Sequence, residues 1–142
     1  MIEMAKAHIA FVIPWQVQPK QADRAVRAGA FIRHYQPKRV TDNAKALILL
    51  AAQHAPKEPM KGPLRLAVTF EFPWRKSDSK KRRANGPKWK DTKPDADNCL
   101  KQILDCLEAA GFFSNDSQIA WLIACKIYCG RGRTLVEIEE LE

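Results

Sequence analysis

The chain has 142 residues, which is the size of a single domain. Its composition, with 46% apolar and 28% charged residues, excludes wholesale disorder and collagen-like repeats. No apolar run approaches the ~20 residues that a membrane-spanning helix needs, and Glu3, Lys6 and His8 interrupt the region where a secretory signal would be apolar. We therefore expect one soluble, intracellular domain over residues 1–142, with no membrane partner.

The net charge of +8 is unevenly placed along the chain. Residues 1–93 hold 20 basic and 7 acidic side chains, whereas residues 94–142 hold 4 and 9. A basic part beside a carboxylate-rich part suits a protein that binds nucleic acid and gathers acidic groups for another purpose. The alternative is an ordinary basic protein with a solvated surface, and charge alone does not separate the two.

In the first half of the chain, apolar residues alternate over residues 8–17 and 64–72, which predicts two strands. The basic stretch 19–39 has no clear period and is predicted to be a loop. Thr41 is placed to cap a helix that continues to about His54, where Pro56 and Pro59 follow.

In the second half, residues 73–93 carry nine Lys or Arg and predict an exposed, mobile basic loop. A helical period returns over residues 94–110, with Gly111 as a stop signal. Two strands, 118–128 and 134–139, are predicted to form a β-hairpin. The expected fold class is α/β of the α+β type, a single domain with a small mixed β-sheet, two main helices and a C-terminal β-hairpin.

All four cysteines fall in the C-terminal third of the chain. A structural zinc site would use tight pairs of cysteine or histidine, and only Cys125 and Cys129 come near that spacing. Because Cys99 and Cys106 lie two turns apart in the apolar helix pattern, core packing is the simpler explanation of the cysteines.

The chemistry-bearing stretch is the start of the helix at 94–110, where Asp95 and Asp97 are followed by Lys101, with Asp116 in the turn beyond the helix. The structural explanation is that Asp95 or Asp97 caps the helix and the other favours its dipole. The functional explanation is a metal-dependent phosphodiesterase. Carboxylates supply the oxygen ligands that Mg²⁺ prefers, and a nearby lysine adds fixed positive charge for a phosphate transition state.

The sequence resembles the RusA-type Holliday-junction resolvases of bacteria and phages. The resemblance lies in the stretches 95–101, 103–107, 110–113 and 115–119, with Lys126 further on, and it extends loosely to the strand at Pro14-Trp15. Members of that family are similar to this chain in an Asp-x-Asp-Asn-x-x-Lys helix start and a later Asp-[small]-Gln-[apolar] turn.

The resemblance implies a homodimer of α/β subunits that resolves four-way DNA junctions in recombination and repair. It implies that Asp95, Asp97 and Asp116 bind Mg²⁺, for which Mn²⁺ is a possible substitute, and that Lys101 is catalytic. It also implies the cytoplasm of a bacterial or phage-infected cell as the location.

Contacts with the phosphates of branched DNA are expected from basic side chains outside the acidic cluster. These residues are Arg24, Arg27, Arg33, Lys80, Lys81, Arg82, Arg83, Lys88, Lys90 and Lys93. Trp74 and Trp89 flank part of this set, either to stack on splayed bases or to anchor the loop. The competing function is a non-catalytic basic DNA-binding protein whose acidic residues only cap a helix.

Overall fold

The computed structural model describes residues 6–20 and 24–142, with Arg24 described by its backbone alone. Its strands are β1 (His8–Ile13), β2 (Arg24–Ala28), β3 (Phe31–Tyr35), β4 (Leu64–Phe72), β5 (Lys88–Trp89), β6 (Ile119–Tyr128) and β7 (Arg133–Glu140). Its helices are α1 (Lys38–Ala52), α2 (Lys80–Ala84) and α3 (Ala96–Ala109), and a 3₁₀ turn covers Asp116–Gln118. In this part of the chain, no helix combines the length and apolar character needed to cross a bilayer.

The main sheet has five strands in the order β1-β7-β4-β6-β5. The central strand β4 runs antiparallel to β7 and parallel to β6. Parallel neighbours need a long crossover, and α3 lies on the connection between β4 and β6. Strands β2 and β3 form a separate two-stranded sheet.

The core lies between one face of the sheet and the helices α1 and α3. Alternate residues of β4 from Leu64 to Phe72 are buried, together with Cys99, Ile103, Cys106 and Leu107 of α3. This is the pattern expected of a strand with one buried face. The opposite face of the sheet is more open, and Val12 on it is 43% exposed.

The predicted mixed α+β class, the strand 64–72 and the helix within 94–110 are confirmed. Helix α1 begins at Lys38, so the prediction that Thr41 caps it is wrong. The Thr41 hydroxyl instead donates to the Lys38 carbonyl inside the first turn. Helix α1 extends to this point because Val40 is buried and its carbonyl accepts from the Gln102 side chain of α3.

The predicted C-terminal β-hairpin is wrong, because β4 lies between β6 and β7. Their connection crosses the end of β4, where the Cys129 N–H donates to the Phe72 carbonyl over 2.9 Å. Gly132 has a φ of +92°, and a Cβ there would lie 3.1 Å from Cδ of Pro73. Turn-forming residues are needed for this crossing as much as for a hairpin, so the sequence signal is the same for both.

The two stretches predicted to be loops contain regular structure. The segment 19–39 includes the β2–β3 sheet, and the segment 73–93 includes α2 and β5. Short polar contacts stabilise the second segment: the Ser79 hydroxyl caps α2, and Asp78 pairs with Arg75 and Lys88. Such local hydrogen bonds leave no apolar period in the sequence. The mobility of this segment stays a prediction.

Candidate active site

Asp95 and Asp97 lie at the beginning of α3. Asp95 occupies the N-cap position, yet its side chain makes no capping hydrogen bond. Its carboxylate is about half exposed and pairs with Lys93 Nζ at 3.0 Å. Asp97 lies in the first turn and is exposed. The helix therefore does not use the Asp95 carboxylate as a cap, and both acidic groups face solvent.

Lys126 of β6 holds the segment that carries these carboxylates. Its ammonium group donates to the backbone carbonyls of Thr92 and Pro94, each over 2.7 Å. Residue 126 pairs with buried Phe70 of β4 and so points to the helix side of the sheet. Sequence reasoning assigned no role to Lys126 beyond its place in the resemblance, although a single lysine in an apolar strand is a usable signal.

Tyr128, two residues after Lys126 in β6, also contacts the segment that precedes α3. Its hydroxyl lies 3.2 Å from the Thr92 hydroxyl and 3.1 Å from Lys90 Nζ. These hydrogen bonds, from Thr92 first and then Lys90, lower the pKa of the Tyr128 phenol. The Trp74 ring stacks on Tyr128, so Trp74 anchors the basic segment, whereas Trp89 is 74% exposed.

Cys99 lies directly under the acidic helix start and is fully buried. Burial raises the pKa of its thiol to about 11; the charge of Lys126 opposes this shift, and Asp95 and Asp97 add to it. The thiol is therefore protonated at neutral pH and serves as a packing group. This agrees with the core-packing explanation for Cys99 and for the equally buried Cys106.

Lys101 lies one helical turn after Asp97, on the same side of α3, and is exposed. The ammonium group and the two carboxylates thus share one solvent-facing end of the helix. This is the part of the predicted site that the structure brings together.

Asp116 lies at the other end of α3. Its backbone N–H donates to the Glu108 carboxylate over 3.1 Å, and Glu108 belongs to the last turn of the helix. Because an α-helix rises about 1.5 Å per residue, the 14 residues of α3 separate its two ends by about 20 Å. Within one chain, Asp116 is therefore remote from Asp95 and Asp97.

A three-carboxylate metal site does not fit a single copy of the chain. Asp95 and Asp97 offer suitable oxygen ligands at one helix start. Over residues 6–20 and 24–142, however, no three His, Cys, Asp or Glu side chains are grouped so that they could hold an ion. The third predicted ligand, Asp116, lies at the opposite end of α3 from the other two.

Two shallow grooves meet at Lys93 and Pro94, beside Asp95, and both have basic walls. The basic residues that line them are Lys20, Arg39, Lys93, Arg75 and Lys90. A polyanionic strand could follow these grooves past the acidic helix start.

The predicted DNA-binding residues divide into exposed and structural groups. Lys80, Lys81, Arg27 and Arg33 are exposed. Four others have partners inside the basic segment: Arg82 donates to the Gly86 carbonyl, Arg83 to the carbonyls of Arg75 and Asp78, Lys88 pairs with Asp78, and Lys90 donates to the Thr92 hydroxyl. The side chain of Arg24 lies outside the described part of the structure.

A sequence model of the endodeoxyribonuclease RusA family matches residues 14–139. The chain therefore belongs to the RusA family of endodeoxyribonucleases, and the resemblance drawn from the helix start and the later turn is confirmed.

Two relatives are each 35% identical to this chain over the stretch that aligns with it. The crossover junction endodeoxyribonuclease rusA of Lactococcus phage r1t is 35% identical over 79 residues, which is 56% of each chain. The uncharacterized protein YqaN of Bacillus subtilis strain 168 is 35% identical over 98 residues, 66% of this chain and 68% of that protein. The match to the phage enzyme thus spans little more than half of its length.

Proposed function

We propose that this protein is a Mg²⁺-dependent, structure-selective endodeoxyribonuclease that resolves four-way DNA junctions in recombination and repair. Membership of the RusA family and the activity for which the phage relative is named support this reaction class. The observation that carries the proposal is the acidic start of α3. Asp95 is at the N-cap but leaves its carboxylate unused by the helix, and basic grooves run beside it.

The proposed reaction is hydrolysis of a phosphodiester bond. The oxygen of a water molecule bonds to phosphorus as the bond from phosphorus to the 3′ oxygen breaks. The water gives up a proton and the 3′ oxygen gains one, so the products are 5′-phosphate and 3′-hydroxyl ends. Bound magnesium would supply positive charge to the phosphate oxygens.

The side chains of this chain have separable roles in the proposal. Asp95 and Asp97 supply negative oxygen ligands, and Lys101 offers a fixed positive charge to the phosphate as its negative charge redistributes. Lys126 positions Asp95 through the preceding backbone. The proposed cellular form is a cytoplasmic homodimer, because paired incision of a near-symmetric junction requires two sites related by a two-fold axis.

The test is cleavage of a labelled four-way junction with Mg²⁺ or with EDTA, for the wild type and for Asp97→Asn. We expect the wild type to cut only with Mg²⁺. Loss of one charge-stabilising group costs about 10²–10³ in rate, so Asp97→Asn should cut at least about a hundredfold more slowly. Its affinity for the junction in EDTA should not fall, because a charge that repels phosphate is removed.

Asp105→Asn is the matched control, because Asp105 lies on the same helix as Asp97 and both side chains are exposed. It should cut within about twofold of the wild type, since a surface ion pair such as Lys20–Asp105 contributes little. A wild type that shifts the junction but never cuts it would instead establish the non-catalytic DNA-binding protein.

A further inference from the structure

The β2–β3 sheet is a two-stranded ribbon that stands apart from the hydrophobic core. Its strands are joined by the two-residue turn Gly29-Ala30, where Gly29 has a φ of +63°. Every residue from 25 to 35 is exposed, and among the described residues none of this range belongs to the core or packs against it. A two-stranded hairpin with both faces uncovered is only marginally stable in water. The ribbon is therefore suited to binding a partner.

The outer end of this ribbon is apolar. Phe31 directly follows the turn and Ile32 comes next, and the two residues are 80% and 68% exposed. Because neighbouring side chains of a strand point to opposite faces, Phe31 and Ile32 present apolar groups on both sides of the tip. Large apolar side chains that are this exposed mark an interaction site.

The charge of the ribbon favours nucleic acid as the partner. Residues 24–41 contain five arginines and lysines and no carboxylate. Arg33 lies on the same face as Phe31, and Arg27 lies opposite Ile32 on the other face. Proteins that insert into DNA combine basic side chains on the phosphates with apolar side chains between the bases. The ribbon offers this combination on both faces.

The base of the ribbon lies beside the acidic start of α3. Before the ribbon, the Lys20 backbone N–H donates to the carbonyl of Asn98, which directly follows Asp97, over 3.1 Å. After the ribbon, Arg39 lines the same groove as Asp95. A five-residue strand such as β3 spans about 17 Å, and stacked nucleotides are about 3.4 Å apart. The tip can therefore contact bases up to roughly five nucleotides from the proposed position of cleavage.

We infer that the tip of the β2–β3 ribbon enters the branch point of a four-way junction, where Phe31 stacks on a base while Arg27 and Arg33 contact flanking phosphates. The stack of bases is interrupted at a branch point, so exposing a base costs less there than inside a duplex arm. Stacking on Phe31 therefore favours the branch, whereas arginine contacts form with any DNA. The inference rests on the proposed junction substrate and assigns Phe31 as a specificity-determining residue.

The test compares affinities for a four-way junction and for a linear duplex, both in EDTA so that neither is cut. Phe31→Ala should bind the junction roughly five- to a hundredfold more weakly, the loss expected for one stacked base, and the duplex within about twofold of the wild type. Phe31→Trp should keep the preference for the junction, because an indole ring also stacks. Leu49→Ala is the matched control, since Leu49 of α1 is 71% exposed, and it should change neither affinity by more than about twofold.

Arg33→Gln separates charge from stacking. It should weaken junction and duplex binding by a similar factor and reduce the slope of log K against log salt by about 0.9, the value of one phosphate contact. Phe31→Ala should leave that slope unchanged. Permanganate, which oxidises unstacked thymines, reports the opening of the branch point directly. At saturating protein, oxidation there should be greater with the wild type and Phe31→Trp than with Phe31→Ala.

Equal losses of junction and duplex affinity in Phe31→Ala, or no loss, would overturn the inference. So would a change from dimer to monomer in Phe31→Ala without DNA, measured by sedimentation, because the ribbon would then contact a second protein chain. A wild type that prefers junctions through Phe31 but never cuts them would contradict the proposed nuclease and support this inference. A wild type that cuts junctions while Phe31→Ala binds them normally would do the reverse.

Discussion

At the scale of single residues, the acidic helix start depends on a lysine that need not touch substrate. Lys126 donates to two carbonyls of the segment before α3, both at 2.7 Å. Hydrogen bonds from a charged donor are among the stronger ones in proteins. Lys126 is therefore a positioning residue, since it fixes the backbone from which Asp95 projects.

Replacing Lys126 with Met should separate positioning from DNA binding. We expect a loss of about 1–2 kcal/mol in the free energy of unfolding by urea, because two carbonyls lose their donor. Junction cleavage should fall more than tenfold, whereas junction affinity in EDTA should fall less than about threefold, since phosphate contacts are spread over many side chains. Lys126→Arg, which can still donate, should recover part of the cleavage. Unchanged cleavage by Lys126→Met would show that Asp95 needs no such support.

At the scale of elements, helix α2 combines two kinds of basic residue. Lys80, Lys81 and Arg83 are exposed, and the side chains of Arg82 and Arg83 donate to backbone carbonyls of the same segment. Arg82 also lies over the Trp74 ring, 5.8 Å from its centroid. The run 80–83 therefore does not act as one uniform basic patch, because half of it maintains the shape of the segment.

The double variant Lys80→Gln/Lys81→Gln should weaken junction binding and reduce the slope of log K against log salt by about 1–2, because each phosphate contact contributes roughly 0.9. Binding is measured by fluorescence anisotropy at several salt concentrations. Lys45→Gln/Lys57→Gln, at exposed positions of α1 and the following loop, is the control with the same change in net charge. An equal slope for both doubles would mean that α2 does not contact the DNA backbone.

At the scale of the whole molecule, the distance of Asp116 from Asp95 and Asp97 within one chain links the proposed metal site to the proposed homodimer. If Mn²⁺ binds carboxylates of two chains, it binds the dimer and not the monomer, and mass action then favours the dimer. The same chemistry predicts no such linkage if the ligands all lie within one chain.

We therefore expect Mn²⁺ to lower the dimer dissociation constant of the wild type, measured by analytical ultracentrifugation. Asp116→Asn should dimerise in the absence of metal like the wild type but gain little from Mn²⁺. Asp105→Asn should behave like the wild type. A Mn²⁺ effect of the same size in Asp116→Asn would exclude Asp116 from the ligands.

Patterns that depend on near neighbours in the chain were predictable from the sequence. The alternation in β4 and the apolar stripe of α3 each describe one element that buries one face, so period alone identifies them. The Asp-x-Asp helix start and the later turn at Asp116 were sufficient to identify the family, because they are short motifs of residues close together in the chain. The cap of α1 and the short elements α2 and β5 were missed, because hydrogen bonds between polar groups set them.

The arrangement of these elements was decided by tertiary structure. The sequence shows two C-terminal strands joined by glycines, but only the long-range pairing of β4 with both of them decides that they are not neighbours. The same pairing makes α3 run the whole way between Asp95 and Asp116, and so sets the two carboxylates about 20 Å apart. A motif records which residues are present, whereas the distance between them follows from the path of the chain through the sheet.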